Sequence, residues 1–500
     1  ERVVCGAPNV PPPGHLVARA PVGARLGAIG LTLEPRDIGG VSSSGMLVSE
    51  AELGLAEESE GILVWEPGAA AEGTPLRQLL PAAYDTIFEI GITPNRPDAL
   101  GHLGLARDLA AVYGLPAPAI ESPALALAPG PTAHVTVELA DPERCPLYTG
   151  ALVQGVTVGP SPAWLRRRLH LLGIRPISNV VDVTNLVLLE RGQPMHGFDA
   201  ARIGGGRVVI RRATPGEALR TLDGVARRLD PDDLVIADGA APTALAGVMG
   251  GGDSEIRPET RDVFLECAYF QPRGVRRTSR RHGLSTESSY RFERGVDPGG
   301  VEPALARAAS LLAELAGGRV FAPGTVARGE LPAPPRMNLR SRTLDATLGV
   351  PVPFEEARAV LERLGFRTSG APGALELDVE GASFRPDVTR EIDLVEEVAR
   401  IRGLDGIPAR IPALAPESAD DPLALERAAL REAAALGLSE AVTYSFSSPE
   451  ELAKVHAPPP AVSLRNPMSE DRRALRTSLL PGLLDATRRA RRRGEPSVRL

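Results

Sequence analysis

A chain of 500 residues, 43% hydrophobic and only 4% aromatic, is long enough for several domains with separate cores. Its net charge of -7 excludes a protein that coats nucleic acid over its whole surface, though local basic faces remain open to it, and that basic charge is carried by Arg, with Lys454 the one lysine. Cys5, Cys145 and Cys267 are scattered without metal-ligand spacing, which excludes a disulfide scaffold and suits a reducing compartment. No apolar run approaches the roughly 18 residues of a membrane span, and no secretory pattern opens the chain, so a cytoplasmic protein with no membrane contact is expected.

Residues 1 to 85 alternate short apolar runs (VVCGAPNV, LGAIGLTL, GMLVSE, EGILVW) with Gly and Pro turns, the pattern of a small all-β barrel, and Arg2–Cys5 reads as its first strand. Five Arg stand here against eleven Asp and Glu, the reverse of an electrostatic footprint for phosphates. Residues 86 to 133 read as a strand over Thr86–Ile90, a helix of about four turns opened by Pro97 and Asp98 and closed by Gly114 and Pro116, and a Pro-Ala-rich linker from Leu115 to Pro131. The helix reads as an ordinary core helix, since nothing in it demands chemistry.

From 134 to 322 strand-like runs alternate with loops rich in Gly, Asp and Arg, an α+β texture. Polar residues interrupt its apolar runs at Thr184, Asn185, His196, Glu266, Thr286 and Glu287. Glu266, framed by Phe264, Leu265 and Cys267, has two readings. It points out of an edge strand, or it points inward as a costly carboxylate that needs a ligand hydroxyl or amide as partner. A loop histidine such as His196 is more often a hydrogen-bonded structural residue than a base. The Gly-rich VMGGG run tolerates close approach of a ligand but lacks the spacing of a phosphate-binding loop.

Residues 336 to 411 read as a compact module in which PFEEARAVLERLGF is an amphipathic helix, with Ala357, Val360, Leu361 and Leu364 inward and Gly365 at its end. The stretch FRPDVTREIDLVEEVARIRGLDGIP forms a second helix. Its Asp393, Glu396 and Glu397 stand at i, i+3 and i+4, stacking along one edge, with Asp387 just before the first turn. Such an edge is either a solvated acidic face or a Mg2+ site, since hard cations take oxygen ligands and often need only one or two direct carboxylates. Residues 420 to 500 open with a helix, a Gly turn and a strand, and from 465 onward carry ten Arg against four acids, a basic face or a solvated helix end.

TPNRPDALGHLGLARDLA, SNVVDVTN with GQPMHGFD, the GVMGG and RFERGVDP runs, and FRPDVTREIDLVEEVARIRGLDGIP stand in the order in which they occur in bacterial phenylalanine-tRNA ligase beta chains, and across almost its whole length the chain resembles that family. VCGAPNV followed by GMLVSEAELGL also resembles the oligonucleotide-binding (OB) barrel appended to several tRNA-handling proteins. The resemblance implies an OB-like tRNA-binding domain at 1–85, an editing (B3/B4) domain at 134–322, a small winged-helix-like α/β B5 module at 336–411, and from 420 the start of a class II synthetase-like domain without amino-acid activation. It implies an alpha2beta2 heterotetramer with an alpha subunit that binds ATP and phenylalanine, and tRNA(Phe) as the shared partner. By that resemblance the chain would lack the family's extreme N-terminus, the rest of its catalytic-like domain and its C-terminal domain, so that it is either a fragment or an incomplete sequence.

By the same resemblance the editing pocket that hydrolyses tyrosyl-tRNA(Phe) corresponds to Thr184, Asn185, His196, Gly250, Glu266, Thr286 and Ser288, with Ser288 where alanine is common in the family. Asp387, Asp393, Glu396 and Glu397 correspond to Mg2+ ligands shared with the alpha subunit. An apolar pocket rejects an analogue with one added hydroxyl by only about a hundredfold, so a second site must select the hydroxyl positively. In this reading Glu266 accepts the tyrosine phenol, and His196 binds the ester end or positions water. A freestanding hydrolase and a non-catalytic tRNA or partner scaffold are the alternatives.

Overall fold

A computed structural model describes residues 1–56, 58–80, 85–118, 135–252, 255–371, 373–409, 411 and 421–500. It is a mixed α/β chain that divides into two units, Glu1–Pro408 and Ala409–Leu500. No helix among the described residues is long and apolar enough to cross a membrane.

The N-terminal segment pairs its short strands only as separate two-stranded ribbons, such as Arg19–Pro21 with Gly45–Leu47 and Leu16–Val17 with Val64–Trp65. They surround a small core of Ala18, Ala20, Leu26, Leu33 and Val48. Two expected strands are absent. Arg2–Cys5 lacks regular structure and meets the ribbon edge through Val4 N–H to Ser43 Oγ and Ser44 N–H to the Arg2 carbonyl. Thr86–Ile90 runs irregular and exposed, with Phe88 77% accessible. Apolar alternation makes a strand only where an edge receives it, and neither segment finds one. The expected linker lies mostly in 119–134, outside the described residues.

The predicted four-turn helix is interrupted. Pro97–Leu100 form a 3-10 turn, Gly101 is extended, and α1 runs His102–Tyr113 to Gly114, whose φ of 65° closes it. The break is steric: a Cβ on Gly101 would lie 2.3 Å from the Gly192 nitrogen, so the backbones of this segment and the central module touch.

The central module packs two sheets face to face. In chain order its strands are β1 (Thr136–Leu139), β2 (Leu147–Gln154), β3 (Met195–Asp199), β4 (Arg207–Arg212), β5 (Leu234–Ala237), β6 (Pro242–Leu245), β7 (Met249–Gly250), β8 (Asp262–Tyr269) and β9 (Arg319–Arg328). One sheet runs β3-β8-β2-β9, all antiparallel; the other runs β7-β6-β5-β4-β1, parallel only between β4 and β1. Tyr148, Leu152, Phe198, Phe264 and Ala268 point from the first sheet to Ile210, Ile236, Ala244 and Leu245 of the second. The alternate residues of β2 and β8, Leu147, Ala151, Val153, Val263, Leu265 and Cys267, point the other way. They meet α2 (Ala163–Leu171), α3 (Asn179–Arg191) and a long helix over Val301–Ala316. The sheet is thus buried on both faces, and the side-chain period of two decides which core each residue enters.

Two helices precede Val301–Ala316, α4 (Pro272–His282) and α5 (Glu287–Phe292), and that long helix is α6. In residues 336–408 a three-stranded antiparallel sheet, Arg336–Arg340 beside Glu376–Glu380 beside Arg367–Ser369, carries α7 (Ser341–Leu348), α8 (Phe354–Arg363) and α9 (Glu391–Arg402). Ala357, Val360, Leu361 and Leu364 are all buried, as the period required, and Gly365 follows at φ 90°. Considered by itself, the second unit holds helices Ala424–Ala435, Pro449–Lys454 and Leu480–Arg492 with one two-residue ribbon, Phe446–Ser447 with Ala474–Leu475.

Candidate functional site: a buried acid and histidine between two sheets

β3 lies antiparallel to β8 with His196 directly opposite Glu266. Directly opposed residues share a face, so both side chains enter the space between the sheets. They line a cavity of about 60 Å³ with Met249, Gly250, Ser288 and Phe292. Gly250 makes the space possible, because a Cβ there would stand 2.8 Å from His196 Cε1 and 3.0 Å from Nε2. Counting about 10–15 Å³ of such space per water, the cavity holds a few waters.

Glu266 is 5% exposed, and no hydrogen bond from a described residue acts on its carboxyl. Burial alone pushes its carboxyl up to about 8. The His196 ring meets Phe198 edge-on at 4.6 Å between centroids, its Nε2 is buried without a partner among the described residues, and burial pulls its pKa down to about 4. Between those two values both groups are uncharged. Neither finds a protein partner among the described residues, so both face the cavity with bonding capacity free for water or a ligand.

The pH dependence has a definite sign. An acid that holds its proton more tightly folded than unfolded destabilises the fold as pH rises from the unfolded value to the folded one. His196 pushes stability the other way, as its unfolded form loses its proton through 6.5, and that contribution is the same in Glu266→Gln, so the difference in slope between the two proteins from pH 6.5 to about 8 reports Glu266. Calorimetry over that window is expected to show wild-type melting temperature falling more steeply than that of Glu266→Gln; parallel slopes would mean that Glu266 is solvated.

The other pocket candidates fall in two groups. Ser288 lines the cavity, and Thr286 seats it: its hydroxyl caps α5 by accepting from Ser289 N–H at 3.0 Å and donates to the Val248 carbonyl at 2.7 Å. Thr184 and Asn185 are not brought there. Both lie on α3, which packs on the opposite face of the β3-β8-β2-β9 sheet, and Thr184 donates back to the Val181 carbonyl at 2.7 Å. Apolar runs punctuated by polar residues read alike for helix and strand, and the helical period of α3 carries these two away from the cavity.

The acidic edge of α9 also differs from expectation. Glu397 is 3% exposed and receives Arg385 Nη1 at 2.7 Å and Nη2 at 2.8 Å, and Arg400 Nε at 3.0 Å. Burial works against the charge, but these guanidinium bonds hold Glu397 at about 2. Asp387 receives Arg385 Nε at 2.9 Å and Asn95 Nδ2 at 3.2 Å. Asp393 closes the helix start, accepting from Thr389 N–H at 3.0 Å and Arg390 N–H at 2.9 Å, while Glu396 is exposed. Among the described residues no three His, Cys, Asp or Glu side chains gather as a metal site. Three carboxylates already serve as acceptors for guanidinium or backbone groups and the fourth points to solvent, so this donor set does not fit Mg2+ within the chain. The expectation of a site shared with an alpha subunit weighed these acids without Arg385, Arg390 and Arg400, which stand in the same stretch of sequence and bond three of them.

Those arginines build something else. Asp108 on α1 accepts from Arg96 Nη1 and from Arg400 Nη1, each at 3.0 Å, so Arg96, Asp108, Arg400, Glu397, Arg385 and Asp387 form one chain of charge-assisted bonds from α1 to α9. Arg107 of α1 stacks over Phe384 at 3.9 Å, and His102 Nδ1 lies 2.8 Å from the Leu189 carbonyl on α3. The core helix therefore joins the central module to residues 336–408. Asp393→Ala is expected to cost about 1 kcal/mol, the worth of a helix cap, with magnesium leaving the melting temperature of wild type and variant unmoved. A magnesium-dependent melt lost in Asp393→Ala would restore the metal reading.

Residues 144–317 match the family described as B3/4 domain, 337–404 the tRNA synthetase B5 domain, and 407–500 the phenylalanyl tRNA synthetase beta chain CLM domain. The chain is 47% identical to the phenylalanine--tRNA ligase beta subunit of Anaeromyxobacter dehalogenans (strain 2CP-C), covering 100% of this chain and 62% of that protein. It is 42% identical to that of Syntrophus aciditrophicus (strain SB), covering 96% and 61%, and 46% identical to that of Geobacter metallireducens, covering 97% and 61%. The chain thus spans less than two thirds of the length of these relatives. A crystal structure of an N-terminal fragment of the phenylalanyl-tRNA synthetase beta-subunit from Pyrococcus horikoshii superimposes with a TM-score of 0.32 at 14% identity, over 65% of this chain and 92% of that one, too distant to bear on the fold.

Proposed function

Since the chain, over the length it spans, belongs to the phenylalanine--tRNA ligase beta-subunit family, we propose that it supports the ATP-dependent charging of tRNA(Phe) by an alpha subunit in an alpha2beta2 assembly and clears tyrosyl-tRNA(Phe) in the cavity between its central sheets. In this reading residues 1–85 are the OB-like module, 336–411 the winged-helix-like B5 module and 420–500 the start of a class II synthetase-like domain. ATP and its magnesium belong to the alpha subunit.

One observation carries the editing role: Glu266 and His196 face each other across a strand pair, buried and unpartnered, with Gly250 keeping the space before them open. A tyrosine phenol entering there finds acceptors on both, whereas a phenylalanyl ring leaves both unpaired at about 1–3 kcal/mol each. Burial holds the proton on Glu266 up to about 8; the carbonyl oxygen of the acid accepts the phenol below that and the carboxylate, the stronger acceptor, as it forms. The Cβ atoms of directly opposed residues stand about 5 Å apart, less than the reach of a tyrosyl group from ester to hydroxyl. His196 therefore meets the hydroxyl end of the substrate together with Glu266. Water attack at the ester falls to groups beyond this pair, including the hydroxyls of the terminal ribose.

The test is deacylation of tyrosyl-tRNA(Phe) with and without the alpha subunit. Hydrolysis in both arms supports an editing beta subunit; hydrolysis in neither arm removes the editing role and leaves a tRNA or partner scaffold.

A further inference from the structure

Behind the Glu266–His196 pair, one residue pair along the same face, lies a third buried polar group that neither the resemblance nor the proposed chemistry uses. Tyr148 on β2 stands opposite Ala268, and Gly150 stands opposite Glu266. Side chains at 148, 150, 266 and 268 consequently share the face that looks into the space between the sheets, and the residue directly across from Glu266 contributes no side chain beyond its backbone. Tyr148 is 0% exposed, and its hydroxyl has no hydrogen-bond partner among the described residues. A buried phenol ordinarily finds an acceptor. The acceptor-rich group on this face that also lacks a partner is the Glu266 carboxyl, whose charge acts on the Tyr148 phenol.

We propose that Tyr148 is a positioning residue for Glu266: when the carboxylate forms, the Tyr148 hydroxyl donates to its inner oxygen and leaves the outer oxygen turned to the cavity to accept the substrate phenol. Without that donor, an ionised Glu266 in this apolar space has no fixed orientation and no compensation for its lost water. The other ionisable groups around Glu266 are His196 from β3, Cys267 from β8 and Cys145 just before β2. Burial keeps His196 neutral and both thiols protonated near neutral pH, and the second sheet presents Ile236, Ala244, Leu245 and Met249. None of these supplies a fixed cation. Of the two hydroxyls near Glu266 among the described residues, Ser288 stands on the cavity side, where a substrate enters, and Tyr148 is the one on the inner side of the sheet pair.

This role rests on the editing reading for its effect on catalysis but not for its effect on Glu266 itself, and the experiment separates the two. Tyr148→Phe removes the hydroxyl and keeps the ring in the core. Infrared titration of the carboxyl band that vanishes in Glu266→Gln is expected to show its midpoint raised by roughly one pH unit in Tyr148→Phe, about the effect of losing one hydrogen bond to a carboxylate. Hydrolysis of tyrosyl-tRNA(Phe) is expected to fall about tenfold in Tyr148→Phe, with its rising pH limb moved the same way, and to fall no further when Tyr148→Phe is added to Glu266→Gln. An unmoved carboxyl midpoint overturns the proposal, and so does an equal fold-loss in both backgrounds, which would mean that Tyr148 acts only on packing. A raised midpoint in a chain that hydrolyses no tyrosyl ester upholds the Tyr148–Glu266 pair and removes the editing function instead.

Discussion

Arg385→Met is expected to destabilise residues 336–408 by about 3 kcal/mol, the lower end of the 3–5 kcal/mol typical when one partner of a buried ion pair is removed. Arg385 is 2% exposed and Glu397 3%, and the guanidinium bonds Asp387 as well. Removing it strands Asp387 on Asn95 alone, while Glu397 keeps Arg400, which is why the lower end applies. The double variant Arg385→Met with Glu397→Leu should recover part of the loss, because an apolar pair of similar volume is often as stable as a buried ion pair. Glu397 sits at about 2 against an ordinary 4.5, so its contribution is complete above pH 4.5 and is lost as pH falls through 2. Urea unfolding of the single and double variants checks this. A loss below about 1 kcal/mol, the range of surface pairs, would mean that the network is solvated.

Glu266→Ala is expected to collapse discrimination between tyrosyl and phenylalanyl esters by about a hundredfold or more. Sites that bond a substrate hydroxyl reject the analogue lacking it far more strongly than apolar pockets do, because the site's own polar groups are left unpaired. Removing the carboxyl takes away both the attraction for the phenol and the penalty on the bare ring. The tyrosyl rate should fall while the phenylalanyl rate holds or rises. Folding should not suffer, since the lost group is an unpartnered buried acid. A variant that keeps its tyrosyl rate places recognition elsewhere.

Glu266 was readable as a candidate because a carboxylate flanked by Phe264, Leu265 and Cys267 interrupts a run that otherwise reads as buried strand. Which way it pointed was settled only by register: Leu265 and Cys267 enter the helical core, so Glu266 enters the other. The amphipathic helix α8, its inward residues and its terminal Gly365 were legible for the opposite reason, that local period and a helix stop suffice to define them. Strands Arg2–Cys5 and Thr86–Ile90 failed because a strand is a property of two segments. Thr184 and Asn185 were misplaced because an apolar stretch in α3 buries residues almost all round and shows no sided period. The acids of α9 and the arginines beside them were legible one by one, but which arginine bonds which acid depends on side-chain direction, and the tie of Arg400 to Asp108, 292 residues away, leaves no trace in local spacing. Tyr148 had no sequence signal of its own, since a tyrosine in a buried strand is ordinary and only its unpaired hydroxyl distinguishes it.

In the proposed function the space between the two sheets reads a phenolic hydroxyl. The most direct measurement is the ratio of hydrolysis rates for tyrosyl-tRNA(Phe) and phenylalanyl-tRNA(Phe) on this chain, with Glu266→Ala beside it. A large ratio is expected in the wild type, falling to near one in the variant; equal rates for the two esters in the wild type would mean that the space does not distinguish the hydroxyl.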